Sequence, residues 1–280
     1  MKLAWTLLVC LPAAAQSLAA PAPLIQLIRQ IVPPGNDAGY EKTQTAATLA
    51  MSKAHPPGQG SFGLWAYAMP DTWEVWFLSF FESYAEIDAF ERAMAAAPSK
   101  VSKEMDRLEH KLFQVTTSER DLVARYRADL SYLPGNAVKM LPRTRYLNFT
   151  IFNARPGWDD ELAEMLRTEL SGRQDSHSDQ SALTYEVVFG NRNPTYLIIE
   201  PLTSLVGIEN ILESQSAVRQ ALGASKWAAV QLAQRQILNS RESWLMRIDA
   251  PTSMVTSEFA AGDPAFWKSS ARQDSPKPYK

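Results

Sequence analysis

Short runs in which apolar residues alternate with polar ones recur along the chain, separated by stretches where apolar residues return every three or four positions. The first pattern marks a strand with one buried face, the second an amphipathic helix. In the first half the pattern predicts a strand over 24–32, closed by Pro33-Pro34-Gly35, and a helix over 37–55 with Tyr40, Ala47, Met51 and Ala54 on one face. His55-Pro56-Pro57-Gly58 breaks that helix. Strands over 63–69 and 74–80 form a hairpin around Pro70-Asp71-Thr72. Ser83, with Glu86 three residues on, predicts a capped helix bearing Tyr84, Ile87, Phe90 and Met94. A helix over 101–115 and a strand over 122–128 complete the unit.

The second half repeats this order. A strand over 146–153 precedes a helix marked by Trp158, Leu162, Met165, Leu166 and Leu170. A hairpin of 183–189 and 195–200 turns at 190–194. A helix capped by Ser204, another over 224–238 and a strand over 243–248 follow. Pro34-Gly35 recurs as Pro156-Gly157 (156 − 34 = 122), Ser83 as Ser204, Ser118 as Ser240 and Arg125 as Arg247. Repetition at a fixed spacing predicts duplication of one structural unit.

The expected fold class is α+β, with two tandem ferredoxin-like β-α-β-β-α-α-β repeats over 21–128 and 143–250. Residues 129–142 are the expected linker, and 251–280 a C-terminal extension and tail. Two such sheets facing each other bury the surfaces their own helices leave open, which gives a pseudo-dimeric α/β barrel.

With 46% apolar residues and 8 Trp in 280, the chain can bury a substantial core. A net charge of −2 gives no basis for nucleic-acid binding. Lys2, the apolar run 3–11 and the small residues up to Ala19 predict a cleaved signal peptide over 1–20, and so a periplasmic or secreted protein. The single cysteine, Cys10, falls in that leader, so the mature chain has no disulfide or thiolate chemistry. His55, His110 and His177 are too far apart in sequence to suggest a metal site. No metal and no cofactor are expected, and no transmembrane segment follows the leader.

Alternation also proposes where a ligand would sit. Leu147, Phe149 and Ile151 are assigned to the helices, as are Leu122, Ala124 and Tyr126 and their counterparts Trp244, Met246 and Ile248. The opposite row, facing the other sheet, then contains Gln26, Asn148, Glu186, Arg125 and Arg247 among Trp65, Tyr67 and Tyr146. Arg125 and Arg247, related by the repeat, suggest a clamp for an acidic or oxygen-rich molecule. The competing structural reading makes them an internal ion pair such as Arg247–Glu186, or charges reaching solvent at a strand end. Trp65, Trp73 and Trp76 suit the core as well as a ligand stack, and His55 suits a helix end. The segment 175–179 resembles a catalytic triad only in composition.

This order of elements, given twice, resembles the dimeric α/β-barrel superfamily, which includes antibiotic-biosynthesis-type monooxygenases, NIPSNAP-like proteins and haem-using chlorite dismutase relatives. The ending Ser257-Glu258-Phe259 to Phe266-Trp267 is similar to that of exported bacterial proteins, which implies kinship without lending an activity. The resemblance to haem-degrading relatives implies a first-strand Asn, a Trp and a histidine on the second helix. Asn148 and Trp76 answer the first two from different halves, and neither second helix has a histidine. Three functions follow as expectations. The first is an exported protein that binds a small molecule in or beside the barrel. The second is a cofactor-independent monooxygenase using the same cavity, and the third an interaction module, favoured if the interior is filled. A monomer suffices, because the repeats can pair internally.

Overall fold

The computed structural model describes residues 20–54, 63–69, 74–268 and 271–273. The leader, the break at 55–58, the turn at 70–72, Trp73 and the end of the tail lie outside the described residues. The first half contains β1 (Leu24–Ile31), α1 (Asp37–Ala54), β2 (Gly63–Met69), β3 (Glu74–Phe81), α2 (Tyr84–Ala95), α3 (Ser99–Phe113) and β4 (Ser118–Tyr126). After α4 (Pro134–Met140) come β5 (Tyr146–Ala154), α5 (Asp159–Asp175), β6 (Leu183–Phe189), β7 (Thr195–Leu202), α6 (Val206–Ile237) and β8 (Leu238–Thr256). The chain continues through α7 (Ser257–Ala261), α8 (Pro264–Trp267) and β9 (Ala271–Gln273).

Eight strands close into an antiparallel barrel in the order β2-β3-β1-β4-β6-β7-β5-β8, with β8 returning to β2. The seams joining the halves are β4–β6 and β8–β2. Closure satisfies strand edges that two separate four-stranded sheets would leave open. Gly35 and Gly157, just after β1 and β5, both adopt positive φ (92° and 83°), which suits a residue without a Cβ.

The barrel lumen is filled. Ile25, Leu27, Leu78, Phe149, Leu197 and Ile248 come from five strands, are at most 4% exposed, and share one core to which all eight strands contribute. This corrects the side assigned to each row. Leu147, Phe149, Ile151, Leu122, Ala124, Met246 and Ile248 face one another across the lumen, with Tyr126 and Trp244 packed against them. The alternate row, not this one, meets the helices. The lumen is walled by strands all round and most fully shielded from water, so it takes the more apolar row.

Other departures are local. Ser204 does not cap by its side chain: α6 begins after Leu205 with no side-chain cap. The two helices expected there run together and break at Gly223 (φ 72°, ψ 166°). β8 is 19 residues long, so residues assigned to the C-terminal extension belong to the sheet. The expected linker buries Leu130, Ala137, Val138 and Leu141. With α7 and α8 it covers one end of the lumen core, where Trp267 is fully buried and its Nε1–H donates to the Pro142 carbonyl at 2.6 Å. Among the described residues no helix is long and apolar enough to cross a membrane.

Candidate functional site

The helix layers on the two halves are packed differently. Over the second half, α5 and α6 press Leu162, Met165, Leu166 and Val230 onto Phe152 and Tyr196. Over the first half, α2 has an apolar face but no buried residue at all. Ser83 caps it as expected, accepting from the Glu86 amide, while the Glu86 carboxylate accepts from the Glu82 amide. Ile87 and Phe90 therefore remain half-buried, because the space beneath them is not filled.

That space is a cavity of about 320 Å³ between the outer face of β1–β3 and helices α1, α2 and α3. Its floor is Gln26, Ile28 and Gln30 from β1, Trp65 from β2, and Phe77 and Ser79 from β3. Helix α1 contributes Gln44, Ala47, Thr48 and Met51. Helices α2 and α3 add Phe90, Met105, Leu112 and Phe113, with Glu91 and Glu109 among them, and Glu119 stands at the start of β4. Strand alternation puts Gln26, Ile28 and Gln30 on one side of β1, and helical spacing puts Gln44, Thr48 and Met51 on one face of α1.

Two features give this cavity chemical character. The first is a chain of hydrogen bonds along its wall: the Tyr40 hydroxyl donates to Gln30 Oε1, and Gln30 Nε2 donates to Glu119 Oε2, both at 2.5 Å. Both ends of the Gln30 amide are held, so its orientation is set. Burial pushes the Tyr40 phenol far above its ordinary range, and it remains a donor at any physiological pH. The second is Gln44, only 4% exposed, whose Oε1 has no hydrogen-bond partner among the described residues. A buried acceptor without a donor is unfavourable, which marks a position that a ligand or water can satisfy.

Trp65 owes its place to an irregularity in β8. The β2–β8 register shifts between Gly63 and Trp65, and the Trp65 amide donates to Ser253 Oγ at 3.0 Å instead. Ser253 in turn donates to the Asp249 carbonyl at 2.6 Å. The Trp65 ring meets that of Phe77 at 4.8 Å, tilted by 34°. A Cβ on Gly63 would come within 2.0 Å of the Phe77 ring, so glycine there is required by the packing of the cavity floor.

The eight residues proposed from sequence fall into separate places. Gln26 and Trp65 line the cavity. Tyr67, Arg247 and Tyr146 lie side by side across β2, β8 and β5, on the outside of one seam. Burial raises the Tyr67 phenol, with Asp249 and Glu41 adding to it. Arg125 and Glu186 pair at 3.0 Å on the opposite seam, where Glu186 also accepts from Arg127 at 3.0 Å. Asn148 Nδ2 donates to Glu200 Oε2 at 2.8 Å, and Arg173 holds the other Glu200 oxygen at 2.9 Å.

The arginine clamp is thus not formed: β4 and β8 stand four places apart in an eight-membered ring, and both guanidinium groups point away from the lumen. Nor does Arg247 pair with Glu186, which is held by Arg125 and Arg127. The residues missed from sequence are Gln30, Gln44, Thr48 and Ser79. Their one legible signal was the pair Gln44 and Thr48 within the apolar stripe of α1. His177 is exposed in a turn at positive φ (50°).

Scanned against models of protein families and against curated protein sequences, the chain matches none. Among solved structures it is similar to a candidate monooxygenase from Fusobacterium nucleatum subsp. nucleatum, with 10% identity and a TM-score of 0.51, over 81% of this chain and 93% of that one. An anthrone oxidase-like protein gives 11% identity and a TM-score of 0.51, over 85% and 94%. A chlorite dismutase from Candidatus Nitrospira defluvii gives 9% and 0.46, over 83% and 93%. At these identities the likeness is one of fold, that of the dimeric α/β barrel. Haem suits the cavity poorly: its described lining offers no His, Cys or Tyr for the iron, leaving only the weak thioether donors Met51 and Met105, and no Arg or Lys for the propionates.

Proposed function

We propose that this protein binds a small, largely apolar molecule with a flat aromatic body in the cavity between β1–β3 and α1–α3. The carrying observation is the buried, unpartnered Gln44 oxygen in a space whose walls include Trp65, Phe77, Phe90 and Phe113. A volume near 320 Å³ falls at the lower end of small-molecule sites, and apolar walls with a few convergent polar groups are their usual composition. The filled lumen speaks against a ligand inside the barrel and by itself favours the interaction-module reading, whereas the cavity beside the barrel supports a ligand there. The test is native mass spectrometry of protein purified from its own host, followed by the same measurement on Ala47→Phe, which fills the cavity. A co-purifying mass lost in the variant supports the reading; a mass retained in it places the ligand elsewhere.

A second reading, cofactor-independent oxygenation of the bound molecule, is supported by the shared fold with the candidate monooxygenase and the anthrone oxidase-like protein. Oxygen uptake with a panel of polycyclic phenols tests it. The duplication is supported by the matching strand orders β2-β3-β1-β4 and β6-β7-β5-β8 and by the paired glycine turns. Export rests on Lys2 and the apolar run 3–11, and N-terminal sequencing of the protein from its host tests it.

A further inference from the structure

The charges around the cavity have one sign. Its described lining contains three carboxylates, Glu91, Glu109 and Glu119, and no Lys, Arg or His. All three are exposed and stand around the opening, while the deeper polar groups are the neutral Gln26, Gln44, Thr48 and Ser79. Glu119 is held in place by Gln30 Nε2 at 2.5 Å. Asp121, two residues along the same strand, adds a further negative group, and burial together with Glu119 raises its carboxyl. The inner wall includes the rings of Trp65 and Phe77, and aromatic rings attract cations through their quadrupoles. The unmet group deep in the cavity, Gln44 Oε1, is an acceptor that calls for an N–H or O–H donor.

We infer that the ligand is cationic: an arylalkyl amine, whose ammonium lies between the carboxylates and the aromatic wall. This rests on the cavity reading above and specifies its chemical class. An ammonium offers N–H donors of the kind Gln44 Oε1 lacks, offsets part of the repulsion among the three carboxylates and is attracted by aromatic rings. A carboxylate of the same shape does the opposite on each count: it brings a further anion, has no donor for Gln44 and turns an anion toward the aromatic rings. The preference is therefore opposite to that of an arginine-clamped site.

Three probes of one skeleton separate charge from shape: naphthylmethylammonium, naphthylmethanol and naphthoate, titrated calorimetrically into the full chain. The ammonium should bind about tenfold tighter than the alcohol, and the naphthoate weaker than either. Added salt should shrink the difference, since the carboxylates are exposed. In Glu91→Gln combined with Glu109→Gln, the ratio of ammonium to alcohol affinity should fall towards one. Ala47→Phe, checked for an unchanged circular dichroism spectrum, should abolish binding of the ammonium.

Alcohol or naphthoate binding as tightly as the ammonium overturns the charge preference and leaves the cavity as a binding site. Ammonium binding that survives Ala47→Phe, or a preference that survives the double Glu variant, also overturns it, by placing the cation elsewhere. Failure of all three probes overturns both the preference and the cavity reading.

Discussion

The rings of Trp76 on β3 and Phe149 on β5 lie 4.7 Å apart at 63°, although β2 and β8 stand between their strands in the sheet. The contact therefore crosses the lumen. Both residues are fully buried, and Trp244 closes on the same indole at 5.7 Å. At this mouth Arg29 lies over both tryptophans and pairs with Glu74 at 2.6 Å, while Glu74 and Glu242 accept from the two indole N–H groups. Phe149→Ala removes the far wall of that contact. It should destabilise the chain by about 3–5 kcal/mol in urea unfolding, as for other large aromatic deletions. A loss below about 1 kcal/mol would show that the lumen collapses freely and is not a tightly packed core.

Gln44 is held in the folded chain with a buried oxygen unmatched by any described donor. Gln44→Leu keeps the approximate volume and removes the unsatisfied group. It should stabilise the ligand-free protein by about 1 kcal/mol in chemical denaturation. The same variant should lose affinity for naphthylmethylammonium. Such a change, gaining stability and losing binding, is what a site kept for function rather than for packing predicts.

Glu169 is on α5, where Gln234 Nε2 from α6 donates to it at 2.9 Å. Burial raises its carboxyl above the ordinary value of 4.5, while Arg241, Arg173 and the Gln234 bond pull it down. An acid raised in the folded state holds a proton there that the unfolded chain has already released. Its contribution is complete below the ordinary value and is lost as pH rises through the folded value. Glu169→Gln should therefore flatten the dependence of Tm on pH above about 4.5 and give a higher Tm than the parent at neutral pH. A lower Tm at neutral pH would show that the ionised carboxylate is favourably paired with the arginines.

Trp267 anchors the covering at the other end of the barrel. Its ring packs on Phe259 and Phe266 at 5.2 and 4.7 Å, and Arg145 sits over Phe266 at 3.9 Å. Arg145 also pairs with Asp263, whose side chain accepts from the Phe266 amide. Trp267→Ala should cost about 3–5 kcal/mol and increase binding of a hydrophobic dye as the lumen end becomes accessible. Unchanged dye binding would show that α4 alone covers that end.

Most elements were legible along the chain. The strands over 63–69, 146–153 and 183–189 and the Ser83 cap follow from alternation and local hydrogen bonding, which involve near neighbours in sequence. The cavity was less so. It depends on α2 standing off the sheet, and no residue of α2 records how far away the sheet lies. Gln44 and Thr48 were visible as polar interruptions in an apolar stripe, but their meaning needed the empty space beside them.

The amino-acid sequence by itself determined most of the elements, their order and which residues of each strand share a face, because side chains alternate with a period of two. Only the tertiary structure decided which face looks inward. Closing the seams β4–β6 and β8–β2 made a lumen shielded on all sides, which drew in the apolar rows and turned Gln26 and Trp65 out toward the helices. Arg125 and Arg247 went to opposite seams for the same reason: a ring separates what two facing sheets would have brought together.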